Sequence, residues 1–172
     1  MVRALGFALA VLLAACSPSE SSNALAASPA LGETTQDKSD RLHPISGLRV
    51  IDLAVIDEDE RHEFKVELAD TREAQARGLM FRTELGDFEG MLFPSDVPAQ
   101  RSFWMRNTPL SLDIIFVGVD GRISNIVANT VPYSLDSVLS EGLASAVLEL
   151  RAGRAEALGI SPGDRVEYIL PD

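Results

Sequence analysis

Cysteine is almost absent from this chain: one residue, Cys16, in 172. A single thiol excludes an internal disulfide, a CxxC redox pair and a thiolate metal cluster. Histidine is nearly as scarce, with His43 and His62 alone, which leaves little material for imidazole chemistry. Cationic side chains are the third shortage, 15 Lys and Arg against 26 Asp and Glu, for a formal charge of −11. A field of that sign repels phosphate backbones and anionic headgroups, so no nucleic acid is expected among the partners. No phosphate-binding loop, dinucleotide fingerprint or hard-metal loop occurs, and no cofactor is expected. What remains is ordinary globular composition, 46% apolar and 24% charged, enough for one buried core.

The longest apolar run, Ala4 to Ala15, follows Met1-Val2-Arg3 and is too short to span a bilayer as a mature helix. It reads as a secretory signal over residues 1–15. The run ends in Leu13-Ala14-Ala15-Cys16, the pattern of a bacterial lipoprotein signal, whose cysteine accepts a diacylglycerol. The chain's one cysteine stands where that pattern needs it, and lipidation would convert a thiol exposed to an oxidising compartment into an inert thioether. Several acyl chains on Cys16 would give a stable membrane anchor. Ser17 rather than Asp follows, so in a cell with two membranes the expected location is the periplasmic face of the outer membrane. Removing residues 1–15 takes away Arg3 and no acid, so the mature charge is 14 minus 26, or −12.

Residues 16–46 are rich in Ser, Ala, Pro and Thr without apolar periodicity and read as a flexible tether. The globular domain is expected over 47–172. Leu48–Leu53 and Glu63–Leu68 read as strands, the second half exposed because Phe64, Val66 and Leu68 alternate with charged residues. Asp70, with Glu73 three residues on and Gly78 as a stop, predicts a short helix over Thr71–Arg77. Further apolar segments lie at Gly90–Phe93, Ser102–Met105, Asp113–Val119, Arg122–Ala128 and Ala146–Leu150. Asp120-Gly121 predicts a type I′ hairpin. A second short helix is expected at Arg154–Leu158 and a last strand at Arg165–Leu170. The fold class is therefore mainly β, a β-rich α+β domain, compact and barrel-like, with two short helices.

Four strings stand out: Arg77-Gly78-Leu79-Met80-Phe81-Arg82, Gly90-Met91-Leu92-Phe93, Phe103 to Asp113 (FWMRNTPLSLD), and Val147-Leu148-Glu149-Leu150 followed by Ala152-Gly153. In this order and spacing the chain resembles the domain of unknown function 192 family over about Phe64 to Ile169. That resemblance implies a compact β-rich fold and no established biochemical activity. A weaker likeness, Gly159 to Val166, is to the Gly-Asp box of cradle-loop barrels, with a simple Pro-Gly turn as the alternative.

Arg82, Trp104, Asn107, Thr108, Asp113 and Glu149 are the candidate binding residues. An arginine fork can hold a carboxylate ligand, and Asn107 offers donor and acceptor together. The competing reading is a buried polar network, with Arg82 paired to Asp113 or Glu149 and Asn107 with Thr108 satisfying turn backbone. Two alternatives carry different chemistry. Asp113 and Glu149 facing one cleft would serve as acid and base of an envelope polysaccharide hydrolase. Met80, Met91 and Met105, beside Trp104, would form a soft thioether site for Cu(I), against the plainer reading of core packing. Serine-histidine catalysis has no support: His43 falls in the tether, and no nucleophile motif accompanies His62. The expectation is a lipid-anchored accessory or binding module, taking a small molecule or protein, rather than an enzyme.

Overall fold

The computed structural model describes residues 41–58 and 60–171. The signal segment, Cys16 and the tether up to residue 40 lie outside the described residues. Residues 41–46, expected in the tether, already belong to the fold: Leu42 bridges Arg49, and His43 N–H bonds the Leu48 carbonyl at 2.8 Å.

Nine strands and two short helices form the described residues: β1 (Val50–Ile56), β2 (Arg61–Leu68), α1 (Arg72–Arg77), β3 (Glu89–Ala99), β4 (Ser102–Phe103), β5 (Leu112–Gly118), β6 (Ile123–Val127), β7 (Val138–Leu139), β8 (Ala144–Arg151), α2 (Arg154–Ala157) and β9 (Arg165–Tyr168). Seven strands make one sheet in the order β6-β5-β8-β3-β2-β1-β9, and β4 pairs with β7. The β2–β3 pairing is parallel, so the chain must cross over between them; α1 and the loop 78–88 form that crossover. The sheet is not closed into a barrel. Its edge strands approach at one bridge, Arg122 to Arg165, flanked by the Ile123 N–H to the Asp164 carbonyl at 2.8 Å.

Both faces of the sheet are packed. On one, Leu53, Phe64, Val66, Leu92, Ile115, Leu148 and Leu150 form a core with Ala155 from α2. On the other, Met91, Phe93, Leu112, Ile114, Phe116 and Val147 pack against Leu79, Leu85 and Met105 from the loops. Phe103 joins the small sheet to this second core, edge-on to Phe93 at 5.0 Å and to Phe116 at 6.2 Å. Burial on both faces explains why β5 reads as a continuous apolar run.

Two local expectations change. Thr71 rather than Asp70 caps α1, its hydroxyl accepting the Ala74 N–H at 3.1 Å, while Asp70 pairs with Arg49 at 2.6 Å. The β5–β6 hairpin is not type I′. Gly121 alone has positive φ, at 76°, and its N–H bonds the Gly118 carbonyl while Gly118 N–H bonds the Arg122 carbonyl. This is a three-residue loop ending in a left-handed glycine, with one bulge residue. The Gly159–Val166 segment turns as its sequence implies: Gly163 has φ 103°, and Asp164 Oδ2 accepts the Ser161 N–H at 2.7 Å.

Candidate functional site

The pleat decides which side chains can meet, because neighbours along a strand point to opposite faces. Phe64, Val66 and Leu68 enter the first core, so Glu67 points to the second face. Leu148 and Leu150 do the same in β8, so Glu149 also points to the second face. Asp113 lies between Leu112 and Ile114, both in the second core, and so points to the first. Asp113 and Glu149 are therefore on opposite faces, and the acid–base pair of the hydrolase reading does not exist.

Asp113 is fully buried and wholly engaged. Its Oδ1 accepts N–H groups from Asn129 (2.9 Å) and Gly153 (3.1 Å), and its Oδ2 accepts Ala155 N–H at 2.9 Å. It pins the start of α2 and the end of β6 to β5, which is a structural task.

Arg82 does not pair with Asp113 or Glu149. Its Nη1 donates to Glu67 Oε1 at 2.6 Å, with both side chains almost fully buried. His43 completes the group, its Nδ1 3.5 Å from Glu67 Oε2 and its Nε2 3.3 Å from Arg82 Nη2. Glu67 Oε2 and Arg82 Nε are buried without a hydrogen bond. Neither Glu67 nor His43 was legible as a site residue, since Glu67 falls on the polar alternation of β2 and His43 on a low-complexity segment.

Trp104, Asn107 and Thr108 do come together, in a surface of three loops. The Asn107 carbonyl accepts the Phe81 N–H at 2.8 Å, the Thr108 carbonyl accepts the Tyr133 N–H at 3.1 Å, and the Ser134 carbonyl accepts the Met105 N–H at 3.0 Å. Thr108 is buried, with its hydroxyl on the Arg106 carbonyl at 3.2 Å. Three aromatic side chains stand out from this surface: Phe81 is 66% exposed, Tyr133 62% and Trp104 47%. The Arg106 guanidinium lies 5.4 Å from the Trp104 ring centre. Phe81, Asn107, Asn129 and Tyr133 all have positive φ, 54° to 64°. Asparagine tolerates that conformation, but a bulky aromatic there is strained by on the order of 1–2 kcal/mol. Phe81 and Tyr133 are thus held out at a cost and without being buried in return.

The methionines make different contacts. Met105 Sδ accepts the Thr130 hydroxyl at 3.2 Å in the core, Met80 Sδ the Asn107 amide at 3.8 Å nearer the surface, and Met91 packs in the second core. Met91 and Met105 are packing residues of the second core; among the described residues no group of three His, Cys, Asp or Glu could hold a metal.

Glu149 is 5% exposed, and no hydrogen bond or ion pair engages it among the described residues. Burial pushes its carboxyl up to about 8. Register sets it between Met91 on β3 and Ile114 on β5, and sets Glu67 on the far side of Met91. The loops that supply Leu79, Leu85 and Met105 to the second core cover this same face.

A groove of about 1030 Å³ lies elsewhere, along β1, β2 and β9. Arg61 to Glu167 at 2.8 Å and Lys65 to Asp52 line it with satisfied ion pairs, and no candidate residue borders it.

The sequence model of the DUF192 family, described as "Uncharacterized ACR", matches residues 54–168. The structure is similar to a crystal structure of a protein of unknown function from Novosphingobium aromaticivorans DSM 12444, at 53% identity and a TM-score of 0.73, covering 74% of this chain and 91% of that one. It is also similar to a Sinorhizobium meliloti 1021 protein whose name suggests a transcription regulator, at 38% identity and a TM-score of 0.67, covering 69% and 93%. No curated protein matches the chain.

Proposed function

This chain belongs to the DUF192 family, and we propose that it is an exported, lipid-anchored binding module of the cell envelope. The segment through Cys16 supports the anchor, and the surface built from loops 79–82, 104–110 and 129–135 is its binding face. One observation carries this reading: Phe81 and Tyr133 are exposed aromatic residues held in left-handed backbone on loops tied together by backbone hydrogen bonds. Strain retained at exposed apolar side chains marks a surface shaped for contact. The partner is an extracytoplasmic ligand rather than nucleic acid, because a formal charge of −11 supplies no attraction to phosphate, whatever the name of the Sinorhizobium relative suggests.

A photo-crosslinking residue in place of Phe81 or Tyr133, in intact cells, tests the face. A discrete adduct at both positions, lost when Trp104→Ala is added, is the expected result. Equal labelling from position 169, where Ile169 is 87% exposed at the opposite edge of the sheet, would refute it.

A further inference from the structure

We propose that the face built from loops 79–82, 104–110 and 129–135 lies on a zwitterionic phospholipid surface and so fixes how the domain sits on its membrane. The inference rests on the binding reading above and names the partner. One turn gathers the face, with the Thr108 N–H on the Met105 carbonyl at 3.1 Å. Trp104 leads into that turn, Phe81 is bonded to it at Asn107, and Tyr133 is bonded to it at Thr108. The three exposed aromatic residues therefore leave the fold around a single turn. Val131 and Leu135, on either side of Tyr133, are 70% and 65% exposed and widen the apolar area.

Charge selects the partner. These loops contain two charged residues, Arg82 and Arg106, and no acid. Arg82 is buried against Glu67, so Arg106 is the one exposed charge of the face, in a chain of formal charge −11. A domain so acidic can be laid on a bilayer only where it carries no carboxylate, because pressing one into the headgroups strips its hydration. The residue types match the layers of an interface. Trp104 and Tyr133 join an apolar ring to a polar edge, and Arg106, whose guanidinium lies 5.4 Å from the Trp104 ring centre, suits the headgroup level. Phe81, Val131 and Leu135 have no polar end and suit the acyl boundary beneath. Glu84 and Asp136 border these loops in sequence and are exposed, so anionic lipid is disfavoured. The chain also enters the fold here: His43 Nε2 lies 3.3 Å from Arg82 Nη2, and Arg82 follows Phe81. The anchor proposed at Cys16 thus joins the domain close to the face, supplying attachment while the face supplies orientation.

Trp104 is the chain's one tryptophan, so its fluorescence reports on this face. The full chain, coupled through its one thiol to a maleimide phospholipid, is held on phosphatidylcholine vesicles whether or not the cell lipidates Cys16. Trp104 emission should then shift to the blue, and phosphatidylcholine brominated on its acyl chains should quench it by roughly half. Phe81→Asp with Tyr133→Asp should abolish both changes and leave the melting curve in place, since both side chains are exposed and Asp tolerates their left-handed backbone. Ile169→Asp, at the far edge of the sheet, should change neither signal, and admixed phosphatidylglycerol should weaken both at low salt. Emission that stays at its aqueous position without quenching would overturn the proposal. So would quenching that survives the double substitution or that requires phosphatidylglycerol. The crosslinks from positions 81 and 133 keep the two readings apart. Adducts of phospholipid mass support both, whereas adducts with a protein and an unquenched Trp104 overturn the lipid partner and uphold the binding face.

Discussion

Arg82 reaches Glu67 across the sheet crossover, Nη1 to Oε1 at 2.6 Å, in a pair of side chains 9% and 4% exposed. The two residues come from β2 and from the loop that returns the chain to β3, so this contact closes the loop 78–88 onto the sheet. Removing one member of a buried pair strands the other charge. Arg82→Ala should therefore lower stability by ~3 kcal/mol or more, and Glu67→Ala similarly. The double replacement Arg82→Met with Glu67→Leu should recover most of the loss, as urea unfolding of the four proteins would show.

Asp113 and Asn107 lie six residues apart in one motif and should answer substitution differently. Asp113→Ala leaves three N–H groups, one buried and two half-buried, without an acceptor and should cost on the order of 3 kcal/mol. Asn107 is exposed and its side chain meets only the Met80 thioether, so Asn107→Ala should cost under about 1 kcal/mol, chiefly for its positive φ. Two melting curves decide; a larger loss for Asn107→Ala would reverse the assignment.

Glu149 gives a pH signature. Its folded-state carboxyl is pushed up to about 8 from an ordinary 4.5, so between those values the folded chain binds more protons than the unfolded one. The group's contribution is intact below about pH 4.5 and is lost as pH rises toward 8, by an amount on the order of 4 kcal/mol. Glu149→Gln should match wild type at pH 4 and exceed it progressively to pH 8. Parallel stability curves across that range would show that the carboxyl is not desolvated.

Cys16→Ser should release the protein from the membrane without altering the domain, since lipid on that side chain is the proposed anchor. Fractionation with the variant still in the membrane pellet would contradict the lipoprotein reading.

The strands were legible because their apolar residues are either alternating, as in Phe64-Lys65-Val66, or continuous, as in β5. The partners of the charged residues were not. Which face a residue takes follows from parity along its own strand, but which residue lies across from it follows from register. The parallel β2–β3 pairing that brings Arg82 to Glu67 has no local signal in either segment. Asp113 and Glu149 look equivalent in composition, and only the match of Ile114 to Glu149 and of Asp113 to Leu150 separates their faces. Phe81 was within a recognised string, yet its exposure and positive φ depend on the bond to Asn107, 26 positions later by number.

The placement of β9 against β1 orders events during synthesis. β1 has β2 on one side and β9, the last strand among the described residues, on the other. Until Arg165 to Tyr168 emerges from the ribosome, β1 keeps a row of unpaired N–H and C=O groups along its free edge. A nascent chain cannot complete this sheet early, and the sequence separation of the contact makes its closure slow. The export proposed above would use that delay, since the sheet stays open to threading until Arg165 to Tyr168 is made.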